Sequence, residues 1–76
     1  MKLEEAVLKD PEIMSGELCF TGTRVPVANL FGYLKGGSTL DDFLDSFPTV
    51  IREQAETVLA ASLEELERKP MLPKSA

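Results

Sequence analysis

Three groups of residues in this sequence could do chemistry. Arg24 follows Gly22-Thr23 and precedes Val25-Pro26. A guanidinium held at such a corner can grip a carboxylate or phosphate through two parallel N–H donors, or bond the carbonyls of its own turn. Asp10 and Glu12 are the acids within reach if the preceding chain folds back, and anchoring the turn is the plainer role. Arg52, Gln54 and Thr57 fall in the early turns of a helical stretch. Arg and Gln so placed can read guanine and adenine edges in a major groove, but Glu53 and Glu56 among them would repel phosphates. Asp41, Asp42 and Asp45 could together attract a divalent cation. With no companion ligands they read as the solvated face of a helix, as do Glu64, Glu65 and Glu67.

What is missing narrows the chemistry further. The chain has no His and one Cys, Cys19. No internal disulfide can form, the common zinc ligand sets are absent, and so is imidazole acid–base catalysis. No nucleophile–base pair is evident. We therefore expect no catalytic residue, no metal site and no cofactor, and a binding protein rather than an enzyme. The net charge of −5, from 8 basic and 13 acidic residues, disfavours strong nucleic-acid binding by the chain alone. It suits a basic partner, or simply solubility. No apolar run approaches the ~18 residues a membrane helix needs, and Met1-Lys2-Leu3-Glu4-Glu5 is unlike a secretory signal. A reduced, cytoplasmic setting is expected.

At 76 residues the chain should form one domain, 1–76. Chains this short bury only about 60% of their unfolded surface, so a homodimer or another partner is expected to add stability. The organising stretch is Gly16 to Val27. Leu18 and Phe20 alternate as on a strand, Gly22 marks a tight turn, and Pro26 suits a first helical turn. Residues 1–25 are expected to form a β element with turns, the Leu18–Phe20 strand returning against residues 4–8. Residues 1–9 themselves allow strand or helix. Asp10-Pro11 ends whatever precedes it, and Gly16 supplies positive φ in the following turn.

Three helices are expected over 26–68. Val27, Leu30, Phe31 and Leu34 make one apolar face from Pro26 to Lys35, with Gly36 as left-handed cap. Leu40, Phe43, Leu44 and Phe47 repeat the spacing, with Ser38 as N-cap and Asp41 three residues on. Thr49 is the expected N-cap of the last helix, whose apolar positions are Ile51, Ala55, Val58, Leu59, Ser62, Leu63 and Leu66. Pro70 and Pro73 end it, leaving 69–76 as a flexible tail. The fold class is thus α+β: a short N-terminal β-hairpin, then a three-helix bundle. The short join Phe47-Pro48-Thr49 gives that bundle the plan of a helix-turn-helix. Leu63, Leu66, Arg68, Met71 and Leu72 lie at or beyond the edge of the core, where a partner's groove could take them.

Taken together, Asp10-Pro11-Glu12-Ile13-Met14-x-Gly16, then Gly22-Thr23-Arg24-Val25-Pro26-Val27, then Gly37-Ser38-Thr39 and Phe47-Pro48 resemble the small bacterial proteins grouped as domain-of-unknown-function family 433 (DUF433), over about residues 5–63. The blocks carrying the motif residues Asp10, Pro11, Gly16, Gly22, Thr23 and Arg24 occur in that family's order. The resemblance implies a homeodomain-like helix-turn-helix behind a β element, and the role of antitoxin in a type II toxin–antitoxin pair whose toxin has a PIN-type nuclease fold. In that reading DNA is bound mainly by the complex. Two alternatives stand beside it: a helix-turn-helix DNA-binding transcriptional regulator that uses Arg52, Gln54 and Thr57, and a structural homodimer.

Overall fold

The computed structural model describes residues 1–72. The element order is α1 (Leu3–Ala6), β1 (Val7–Lys9), a 3₁₀ turn (Met14–Gly16), β2 (Leu18–Phe20), α2 (Val27–Lys35), α3 (Leu40–Ser46) and α4 (Arg52–Arg68). The α+β class and the hairpin agree with the sequence. Four helices are present among the described residues, because residues 1–9 divide: one helical turn, then a strand. The strand β2 accordingly pairs with 7–9 rather than 4–8, antiparallel, with Val7 opposite Phe20, Leu8 opposite Cys19 and Lys9 opposite Leu18. Residues 73–76 of the expected tail lie outside the described residues.

Two strands alone are marginal in water, and here both ends of the hairpin are tied down. Beyond β2 the chain makes a turn at Gly22, whose φ of +79° suits a residue without Cβ. The Thr23 hydroxyl donates to Phe20 O at 2.8 Å and accepts from Val25 N–H at 3.0 Å. Phe20 N–H then bonds Val25 O, and Cys19 bridges Pro26. Thr23 is thus the anchor of the corner that feeds α2.

The core lies between β2, α2, α3 and α4. Phe20, Leu30 and Phe43 are fully buried, joined by Val27, Val50, Ala55 and Val58. Phe43 stands at the centre of an aromatic group. Its ring lies 5.9 Å from Phe20, 5.6 Å from Tyr33 and 5.1 Å from Phe47, and Tyr33 meets Phe47 edge-on. Such tilted and edge-to-face pairs add stabilisation beyond the area they bury.

Several expected boundaries move by a residue or two for local reasons. Pro26 is the N-cap of α2 rather than its first residue. Gly36 closes α2 with ordinary φ (−80°), and Gly37, at φ +94°, is the left-handed residue; Ser38 N–H completes the cap on Tyr33 O. Thr39, not Ser38, caps α3. Its hydroxyl accepts from Asp42 N–H and Asp42 accepts from Thr39 N–H, both at 3.0 Å. That reciprocal pair is a full capping box. Thr39→Ala should therefore lower stability by about 1 kcal/mol in urea unfolding, with Ser38→Ala giving no comparable loss. The cap of α4 is Ile51 rather than Thr49, so the join between α3 and α4 runs Phe47–Ile51.

Candidate functional site

An apolar groove of about 570 Å³ opens on one side of the molecule. Its floor is Val7, Val27, Val58 and Ala61, and its rim carries Leu3, Leu18, Phe31 and Leu66. These rim side chains belong to α1, β2, α2 and α4, and with Val7 of β1 on the floor five elements build it. The sequence pattern put Phe31 and Leu66 on core faces, yet both are exposed, at 40% and 58%. The helical faces they continue are broader than the small core can cover. The single charged side chain on this lining is Glu65.

The groove runs out along α4. This helix has 17 residues, about 25 Å at 1.5 Å per residue, and its residues from Leu63 onward are all exposed. Leu63, Leu66, Arg68, Met71 and Leu72, the expected partner contacts, are therefore accessible among the described residues. Among the described residues, the one salt bridge of Arg68 is to Glu65 one turn back, at 3.7 Å.

The residues considered for base contact are placed differently from one another. Arg52 is exposed but paired with Asp41, and lies 3.8 Å from Glu56. Its hydrogen bond to Asp41, then that residue's charge and Glu56, push its pKa up. Thr57 turns its hydroxyl onto Glu53 O at 2.7 Å. Gln54 is buried and cannot reach a duplex. Its Nε2 donates to Thr21 O at 2.9 Å and Ala6 O at 3.3 Å, and its Oε1 accepts from Ile51 N–H at 3.1 Å. It closes the end of the hairpin ladder: the N–H that would serve Thr21 O, that of Ala6, is taken by the carbonyl of Lys2, the N-cap of α1. Asp41, Asp42 and Asp45 are all exposed, and no metal-binding cluster occurs among the described residues.

The motif residues gather at a second concavity. Asp10, Gly22, Thr23 and Arg24 line a cavity of about 350 Å³, with Leu8, Ile13, Cys19, Phe20 and Thr49. Pro11 lies behind Gly16, its Cα 3.7 Å from where a glycine Cβ would be. The expected ion pair does not form: no acid lies within 4 Å of Arg24 among the described residues, and Asp10 instead caps its own turn by accepting from Glu12 N–H. Cys19, buried beneath this wall, has its thiol pKa raised by burial and by the nearby Glu17 charge, so it stays neutral near pH 7. No helix is long and apolar enough to cross a membrane among the described residues.

Comparison with known proteins adds family and fold. No curated protein matches the chain. The structure is similar to the crystal structure of a DUF433 member protein from Anabaena variabilis ATCC 29413, with a TM-score of 0.69 at 21% identity. The match covers 87% of this chain and 65% of that one, so the chain spans about two-thirds of that relative's length. At this identity the likeness speaks for the fold. The family model described as "Protein of unknown function (DUF433)" matches residues 7–60, which include both walls of the Arg24 cavity and the whole hairpin, and the chain belongs to the DUF433 family.

Proposed function

We propose that this protein is a non-enzymatic binding module, the antitoxin of a type II pair, which neutralises a PIN-type nuclease by covering its active surface. The observation that carries the reading is the uncovered apolar groove between hairpin, α2 and α4, continued by the unpacked end of α4. A contiguous apolar patch on so small a domain is costly in water and marks an interface. The antitoxin role itself rests on the family resemblance, and the net charge of −5 suits a basic nuclease surface. In this reading DNA is bound by the complex rather than by the free chain, through a helix-turn-helix; the same charge, and the pairing of Arg52 with Asp41 and Glu56, support that choice. A homodimer paired along the outer edge of β1, where alternation turns the Lys9 N–H and C=O away from β2, belongs to the same proposal. The setting remains cytoplasmic in this reading.

The test is purification of the tagged chain from its own host, followed by the intact mass of what is recovered. The proposal expects a small PIN-type nuclease in fixed stoichiometry, and its loss when the chain is cut after Glu67. Recovery of a homodimer alone would contradict the antitoxin role.

A further inference from the structure

The cavity around Arg24 lies on the other face of the hairpin from the apolar groove. The register shows this: Leu8 and Cys19 form one cross-strand pair and line the Arg24 cavity, whereas Val7 and Leu18, from the neighbouring pairs, line the groove; Phe20, opposite Val7, borders the cavity only at the strand end and its side chain is fully buried in the core. Partner docking in the groove therefore neither explains nor uses this cavity.

Four separate segments build it. The β-hairpin gives Leu8, Cys19 and Phe20, and the loop after β1 gives Asp10 and Ile13. The corner gives Gly22, Thr23 and Arg24, and the α3–α4 join gives Thr49. The corner is held by the Thr23 hydroxyl, which donates to one backbone group and accepts from another. Arg24 follows directly on that fixed residue and is exposed, with no acid within 4 Å among the described residues. This is notable in a chain with 13 acids. Asp10, on the same lining, spends one carboxylate oxygen on Glu12 N–H at 2.9 Å, and the other has no protein donor among the described residues. The lining thus combines one unpaired cation, one carboxylate with acceptor capacity left, and an apolar set of Leu8, Ile13 and the edge of Cys19.

We infer that this cavity binds a carboxylate that carries an apolar group, the carboxylate on Arg24 and the apolar part against Leu8 and Ile13. A guanidinium takes a carboxylate through two parallel N–H donors. A phosphate fits worse: Arg24 is the one cation on the lining and Asp10 opposes a second negative charge. The volume of about 350 Å³ sits at the small end of ligand sites, enough for one or two residues or a short acid. Two sources share this chemistry, a free carboxylic acid and the C-terminal residue of a peptide. In the second, the N–H of the terminal residue donates to Asp10.

The inference is tested by NMR titration of the full chain with three probes: N-acetyl-leucine, its amide, and 4-methylpentanoate. Saturable shifts at the Gly22, Thr23 and Arg24 amides are expected with N-acetyl-leucine in the ~mM range that suits so small a ligand. The amide should bind at least about tenfold more weakly, for lack of the carboxylate. Arg24→Gln should cost a similar factor while leaving the thermal midpoint unchanged. Asp10→Asn separates the sources, because Asn keeps the acceptor for Glu12 N–H and removes the charge. For a peptide terminus it weakens N-acetyl-leucine and strengthens 4-methylpentanoate. For a free acid it strengthens both. No saturable shift at these amides, or equal binding of acid and amide, would overturn the inference.

Discussion

Phe43→Ala should remove most of the protein's stability. A Phe cut to Ala in a core costs about 3–5 kcal/mol, part lost transfer energy and part cavity. A domain of 76 residues has only roughly 4–11 kcal/mol to lose. Phe43 belongs at the upper end because its surroundings are poorly able to collapse. Its ring is the one that touches Phe20 on β2, Tyr33 on α2 and Phe47 after α3, so the hole would open where three elements meet. Urea unfolding followed by far-ultraviolet circular dichroism should show a variant partly unfolded without denaturant. Phe43→Leu, which keeps most of the volume, should fold cooperatively with a smaller loss. An alanine variant with an unchanged midpoint would mean that the aromatic group does not hold the core.

The second large effect belongs to Gln54. Gln54→Leu keeps the volume and deletes three hydrogen bonds, to Thr21 O, Ala6 O and Ile51 N–H. Ala6 O keeps its bond from Thr21 N–H, so the groups orphaned are Thr21 O and Ile51 N–H. Partly buried groups left in this way cost about 2–3 kcal/mol together. Gln54→Glu makes the sign of the electrostatics visible. The protonated carboxyl can still donate to one carbonyl, whereas the carboxylate faces two carbonyl oxygens in a buried site. Its folded pKa therefore rises above the unfolded value of about 4.3. Stability is retained below that value and lost as pH rises through the folded pKa. Unfolding at pH 4 and pH 7 should show the Glu variant losing ground to wild type at the higher pH. Equal losses at both would show that the buried amide contacts do not form.

These two residues also show what a sequence reveals and what it hides. Phe43 was legible, because Leu40, Phe43, Leu44 and Phe47 repeat at helical spacing and a helix must bury that face. Tyr33 was not, since it lies beside the Leu30–Leu34 face and joins the core only because α3 brings Phe43 and Phe47 to it. Gln54 was misread as surface because its partners are backbone carbonyls of Ala6 and Thr21, more than thirty residues away, and backbone leaves no mark in side-chain pattern. The α3 cap was ambiguous by one residue for a plain reason. Ser38 and Thr39 each have an aspartate three places on, and only geometry selects Thr39 with Asp42.

The candidate surfaces follow the same division. The convergence of Asp10 with Gly22-Thr23-Arg24 was anticipated from a chain folding back, and they do share one cavity. The ion pair was not formed, because Asp10 turned to its own loop. The apolar groove was invisible in advance. Phe31 looked like a core residue of α2, Leu18 was legible only as a strand position and Leu66 as an edge residue open to a partner, and only the assembled fold brings all three to one uncovered rim.

The proposal that this rim is an interface is tested most directly by titrating the nuclease that the proposal expects to be recovered with the protein. Its nuclease activity should be measured against wild type and against the double variant Leu18→Glu, Phe31→Glu. Both sites are already exposed, so the variant should keep its fold and its thermal midpoint. The account predicts stoichiometric inhibition by wild type and at least about a hundredfold weaker inhibition by the variant, in line with the loss of a central apolar anchor. Equal inhibition by a folded variant would contradict it and move the interface elsewhere on the molecule.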